Sequence, residues 1–260
     1  MARVSSITSR ANALLLRLRR LASQPDAYRK QGVAWIEGEH LCEAYRARAR
    51  GEGVQAVVGE TAWDVRRLRQ LASHAEAVAV LPDALMADLS SLETPVLLAF
   101  AVPWPGAGTP LPGVPTLVLD RLQDAGNVGT ILRSAAAFGF AQVVALKGTA
   151  ALWSPKVLRA GMGAHFALNL VEGAEEGALD ALDVPFLGTS SHARAALHEA
   201  SLPWPCAWLM GHEGQGLSDA LLRRCAQTLR IPQPGGEESL NVAAAAAVCM
   251  YESARRRWGA

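Results

Sequence analysis

Three polar loops, each fed by a short apolar run and each leading into a helical run, constrain this chain more than any other feature. Residues 124–133 read Asp-Ala-Gly-Asn-Val-Gly-Thr-Ile-Leu-Arg. Residues 209–218 read Leu-Met-Gly-His-Glu-Gly-Gln-Gly-Leu-Ser, and residues 231–243 read Ile-Pro-Gln-Pro-Gly-Gly-Glu-Glu-Ser-Leu-Asn-Val-Ala. Short apolar runs of this kind read as buried strands, and their alternation with helices fits a mostly parallel sheet. Asn127, Arg133, Glu213, Ser239 and Asn241 then fall at strand-to-helix turns, where open α/β sheets hold their ligands.

The chain has two parts. Residues 102–115 hold five prolines and three glycines, which sustain neither a helix nor a central strand. They read as a linker between an N-terminal domain (1–101) and a C-terminal domain (116–260). The first alternates helix 8–23, strand 33–36, helix 39–49, strand 54–58, helix 61–73, strand 77–80, helix 82–89 and strand 95–101, a small α/β/α layer. The second reads strand 116–119, helix 127–138, strand 141–146, helix 154–160, strands 185–188 and 206–210, helix 218–224, strand 227–231 and helix 239–256. Gly126 and Asn127 are expected to open the first of these helices and Gly139 to end it.

Composition excludes several classes. Half of the 260 residues are apolar, enough for a substantial core. No uncharged apolar run reaches the ~18 residues a membrane span needs. Cys42, Cys206, Cys225 and Cys249 are scattered, with no C-x-x-C pair, and the histidines lack ligand spacing. Free thiols, a reducing cytoplasmic compartment and no metal follow as expectations. Net charge is +1, yet residues 1–50 carry 10 Arg/Lys against 4 Asp/Glu, and the rest 15 against 20. Arg10, Arg17, Arg19, Arg20 and Arg29 are therefore the candidate contacts to a polyanion such as RNA; a solvated helix face is the competing reading. Residues 1–24, with five Arg, four Ser, one Thr and no acid, also have the composition of a transit peptide. Against that, Leu14, Leu18 and Leu21 form a stripe suited to docking.

Taken singly, the loop residues are ambiguous. Arg133 beside a helix N-terminus makes a phosphate site, but alone it reads better as paired or solvated. Ser239 is an ordinary N-cap. Asn241, two residues on, is a poor helix-interior residue and is free to reach a ribose or a cofactor. The glycines around Glu213 permit close approach to a main chain, and Glu213 either acts in the site or fixes its loop.

Jointly, in this order and spacing, the three loops resemble the signature of the SpoU/TrmH family of RNA 2′-O-ribose methyltransferases, in the SPOUT superfamily. The resemblance runs from about Thr116 to the end of the chain. More weakly, Tyr28-Arg29 through Trp35-Ile36-Glu37-Gly38 looks like the start of the small RNA-binding domain, similar to ribosomal protein L30e, that commonly precedes the catalytic domain. It implies a parallel α/β sheet with a deep C-terminal trefoil knot, a homodimer with a shared active site, and S-adenosylmethionine held by the knotted loops. Those loops would contribute Gly188, Thr189, Leu209, Met210, Gly211, Ile231 and Leu240. Asn127, Arg133, Glu213, Ser239 and Asn241 match the motif positions tied to activity. Three positions depart: His212 stands where Asn or Ser is common, Gln233 where Met is common, and Ala243 where Ser is frequent.

The expected function is methyl transfer from S-adenosylmethionine to a ribose 2′-hydroxyl of ribosomal or transfer RNA. The alternative is a non-catalytic RNA-binding protein that retains the SPOUT fold. A nicotinamide enzyme would need an early G-x-G-x-x-G, which is absent.

Overall fold

The computed structural model describes residues 2–49, 52–90, 94–235 and 240–258. The chain divides into two compact units, Met1–Gly106 with Trp153–Phe166, and Ala107–Leu152 with Ala167–Ala260. Residues 153–166, which the sequence places with the second domain, thus pack in the first.

In the first unit, β1 (Arg3–Ser6), α1 (Ala13–Ser23), α2 (Ala27–Gln31), β2 (Val33–Glu37), α3 (Glu39–Arg46), β3 (Gln55–Gly59), α4 (Glu60–Asp64), α5 (Arg66–Ala72), β4 (Ala77–Leu81), α6 (Asp83–Ala87) and β5 (Leu98–Pro103) follow in order. They build a mixed sheet of order β1-β4-β3-β5-β2. The segment with transit-peptide composition is part of this unit. Arg3–Ser6 pairs parallel to β4, and α1 buries Leu15, Leu18, Leu21 and Ala22, a stripe one residue out of phase with the expected one at Leu14. Each such fully buried leucine contributes about 1.5–3 kcal/mol. The single helix expected over 61–73 is two, because Val65 is extended (φ −77°, ψ 113°). The inserted segment carries α8 (Pro155–Gly161), started by Pro155 after the N-cap Ser154. It packs on β2, an edge strand, and Arg159 pairs with the buried Glu37 carboxylate at 3.2 Å.

The second unit contains β6 (Thr116–Leu119), α7 (Ala125–Ala137), β7 (Gln142–Leu146), β8 (Asn169–Ala174), β9 (Phe186–Thr189), β10 (Ala207–Met210), α9 (Asp219–Arg224), β11 (Gln227–Leu229) and α10 (Val242–Arg255). All its strand pairs are parallel, in the order β11-β9-β10-β6-β7-β8. Val118, Val144, Val171, Leu209 and Leu221 pack together in its core. β8 went unread in the sequence because Glu172 interrupts its apolar run. The structure buries that carboxylate and gives it the Leu152 amide at 2.7 Å. Ala243, Ala246, Cys249 and Met250 form the buried stripe of α10, and Trp208 of β10 donates its indole N–H to Ser253 at 2.9 Å. The chain leaves β6 toward β8, then returns to lay β9 and β10 on the other side. This reversal puts the crevice of the sheet beyond the C-terminal ends of β6 and β10.

Candidate active site

Asp124 starts α7. Its side chain accepts from the Asn127 amide at 2.7 Å, so Asp124 is the N-cap and Gly126 and Asn127 lie within the first turn. That fixes Asn127 beside the loop that follows β10. The Glu213 carboxylate there accepts from the Gln123 amide (3.3 Å), the Asp124 amide (3.2 Å) and Asn127 Nδ2 (3.3 Å). Burial pushes the Glu213 carboxyl up. Its own amide, those of Asp124 and Gln123, and the Asn127 side chain outweigh this and hold it below the ordinary carboxylate value.

The third loop joins the same chain of bonds. Asn241 Nδ2 donates to Asn127 Oδ1 at 3.0 Å. Asn241 Oδ1 accepts from the amides of Ala243 (2.9 Å) and Ala244 (3.3 Å). Asn241 is therefore the N-cap of α10, which corrects the expectation that it lies inside a helix capped by Ser239. Ser239 itself lies outside the described residues. The direction of every amide follows from the ends. An ionised carboxylate only accepts, so Asn127 must present its NH2 to Glu213 and its oxygen to Asn241. Asn241 must then present its oxygen to the free amides of the helix.

Arg133 projects from α7 into solvent, with no hydrogen-bond or ion-pair partner among the described residues. It is an uncommitted cation on the helix whose first turn carries Asn127.

The expected cofactor loops lie side by side. β9 is flanked by β10 and β11, so Thr189, Met210 and Ile231 end or follow neighbouring strands at one edge. Leu209 and Met210 are buried and offer the edge only main chain. Two of the glycines have structural reasons. A Cβ on Gly211 would sit 2.2 Å from the main chain of Gly216 and Leu217, and one on Gly188 would sit 2.9 Å from Cys225 Sγ. Leu240 is 41% exposed. The observation that fits an adenosyl ligand is in the third loop. Gln233 Oε1 is buried with no partner among the described residues, an acceptor in need of a donor.

Sequence reasoning missed Asp120. It directly follows β6, is 2% exposed, and accepts from Arg121 Nε (2.8 Å), Arg121 Nη2 (3.1 Å) and the Ser218 amide (3.1 Å). Arg121 also reaches Gln215 at 3.3 Å. Asp120 and Glu213 thus stitch the first loop to both halves of the second. The signal was a carboxylate placed directly after an apolar strand.

The expected RNA contacts all lie in the first unit. Arg10 and Arg19 both pair with Asp88 (3.1 and 3.4 Å), and the Arg29 guanidinium lies over the Tyr28 ring at 5.3 Å. Arg17 bonds the neutral Gln31 at 3.0 Å. Arg20 and Lys30 are exposed.

A model of the SpoU rRNA methylase family matches residues 115–251. A Synechocystis protein described as an uncharacterized tRNA/rRNA methyltransferase is 33% identical, over 99% of this chain and 96% of its own. A 23S rRNA (guanosine(2553)-2′-O)-methyltransferase of Bacillus subtilis is 32% identical, over 85% of this chain and 88% of that protein. Among solved structures, an RNA 2′-O ribose methyltransferase matches with a TM-score of 0.80 and 31% identity, covering 98% of this chain and 100% of that one.

Proposed function

This chain belongs to the SpoU rRNA methylase family, and we propose that it methylates a ribose 2′-oxygen of ribosomal or transfer RNA through the groups gathered at its three loops. The observation that carries this reading is the Glu213–Asn127–Asn241 relay, which locks all three loops together while leaving Arg133 uncommitted. Arg133 carries a fork of N–H donors and no acceptor. Its role is to hold the 2′-oxygen and the adjacent phosphate in line, which is where alignment lowers the barrier. Glu213, Asn127 and Asn241 hold the frame on which that alignment depends. S-adenosylmethionine, when bound, supplies a methyl group on a sulfonium, so the reaction is a direct displacement. Gly188, Thr189, Leu209, Met210, Gly211, Ile231, Gln233 and Leu240 would line its place, mostly with main-chain groups.

The first unit serves as the L30e-like substrate domain, with Arg17, Arg20 and Lys30 as its phosphate contacts. A C-terminal trefoil knot is part of the same proposal and rests on the chain's membership of this family. A homodimer is supported by exposed Val248, Tyr251 and Trp258, where Tyr251 meets Phe138 and Trp258 edge-on at 5.8 and 5.5 Å. A cytoplasmic location is supported by four free cysteines.

The test is transfer of labelled methyl from S-adenosylmethionine to ribosomal and transfer RNA. Arg133→Ala should lower turnover about a hundredfold or more, with cofactor affinity within a few fold. Near-normal turnover in Arg133→Ala refutes the role assigned to it.

A further inference from the structure

His212 is the one residue in the second loop whose imidazole closes on its own main chain. Its Nδ1 accepts from the Gly214 amide at 3.0 Å, and its carbonyl accepts from the Gly216 amide at 2.8 Å. The residue enclosed by the first of these bonds is Glu213. Downstream, the loop is held by Arg121 on Gln215 and by Asp120 on the Ser218 amide. Upstream of Gln215, the His212 ring provides the acceptor for the amide that follows Glu213.

We infer that His212 is a positioning residue for the methyl transfer proposed above, acting through Nδ1 to set the backbone that aims Glu213 at Gln123, Asp124 and Asn127. A ring nitrogen that accepts an N–H carries no hydrogen, so the neutral imidazole has its proton on Nε2. His212 is thereby a turn-former and not the base that removes the 2′-hydroxyl proton through Nδ1. The same geometry explains the residue type. An Asn side chain places its Oδ1 at the same remove from Cα as Nδ1 of His, and accepts an amide two residues on in the same way. His212 therefore does in this chain what an asparagine does in that turn.

The inference rests on the methyltransferase reading, and the experiment separates the two. His212→Asn keeps an acceptor at the Nδ1 position, and His212→Gln keeps a donor near the Nε2 position but loses that acceptor. Methyl transfer is measured for the full chain and each variant at saturating S-adenosylmethionine and RNA, with thermal denaturation alongside. His212→Asn should keep kcat within about threefold of the parent chain, whereas His212→Gln and His212→Ala should each lose about five- to tenfold, with unchanged melting. A long-range ¹H–¹⁵N spectrum of the unsubstituted protein, with His212 assigned by its loss in His212→Asn, should show the Nε2–H tautomer. An Nδ1–H tautomer overturns the inference, as does a His212→Gln variant with more activity than His212→Asn. If the parent chain transfers no methyl at all, the functional reading fails instead, and the tautomer still decides the geometry of the turn.

Discussion

Replacing Asn241 by Asp separates two roles that one side chain combines. Asn241 caps α10 with its oxygen and holds Asn127 with its NH2. Asp is as good an N-cap as Asn, and its charge suits the helix dipole. The cap survives, so any fall in melting comes from the relay, about 2–4 °C for each ~1 kcal/mol lost in a domain of this size. The relay does not survive. The new carboxylate would face Asn127 Oδ1 with an acceptor, 3.0 Å away where a donor now sits. Turning the Asn127 amide over relieves that clash only by pointing its oxygen at the Glu213 carboxylate, where its NH2 now donates at 3.3 Å. Either arrangement forfeits a hydrogen bond, and the one to the charged carboxylate is worth about 1.5–3 kcal/mol. If that loss appears in the transition state, turnover falls about tenfold to a hundredfold. Asn241→Ala should lose the cap as well, destabilising by about 1 kcal/mol more, and Asn241→Ser should keep the cap without the relay. The assays are labelled-methyl transfer and calorimetric melting on the same preparations. Full activity in Asn241→Asp with unchanged melting would refute the argument that amide direction matters.

Glu213 should make stability pH-dependent in one direction. Its folded-state value is lowered, so its contribution is complete above its ordinary value of 4.5 and is lost as pH falls through the lowered folded value. The stability gap between the parent chain and Glu213→Gln, followed by urea unfolding, should therefore shrink below that point; a gap that widens on acidification contradicts it. A chain beginning at residue 107 strands residues 153–166 without the first unit. Trp153, Val157 and Leu158, now 5%, 0% and 1% exposed, would each lose roughly 1.5–3 kcal/mol of burial. Light scattering should show association, relieved by replacing 153–166 with a short Gly/Ser linker; a monodisperse truncated chain sinks this. Replacing Arg17, Arg20 and Lys30 together with Ala should flatten the slope of log K for RNA against log salt by about two. Replacing Arg10 and Arg19, already paired with Asp88, should change it less.

Periodicity and punctuation are local signals, and they carried the local results. Short apolar runs gave the strands before the three loops, and the prolines of residues 102–115 marked where one sheet gives way to the next. The phase of the α1 stripe was off by one residue because Leu14, Leu15 and Leu16 are alike in sequence, and only packing against the sheet selects Leu15. β8 was hidden by Glu172, whose buried carboxylate needs a partner 20 residues away.

The sequence by itself determined which residue types stand at the strand ends: an Asn and an Arg, a Glu among glycines, an Asn before an alanine-rich helix. Only the tertiary structure decided what each of them does. Asn241 is a cap and not an interior residue because α10 begins at Val242, and it meets Asn127, 114 positions away, because α10 packs along α7. Asp120 became a stitch between loops only once Ser218 stood 3.1 Å away. Capping and relay geometry depend on hydrogen bonds effective over about 3 Å, and a one-dimensional pattern holds no information on which distant segments approach that closely.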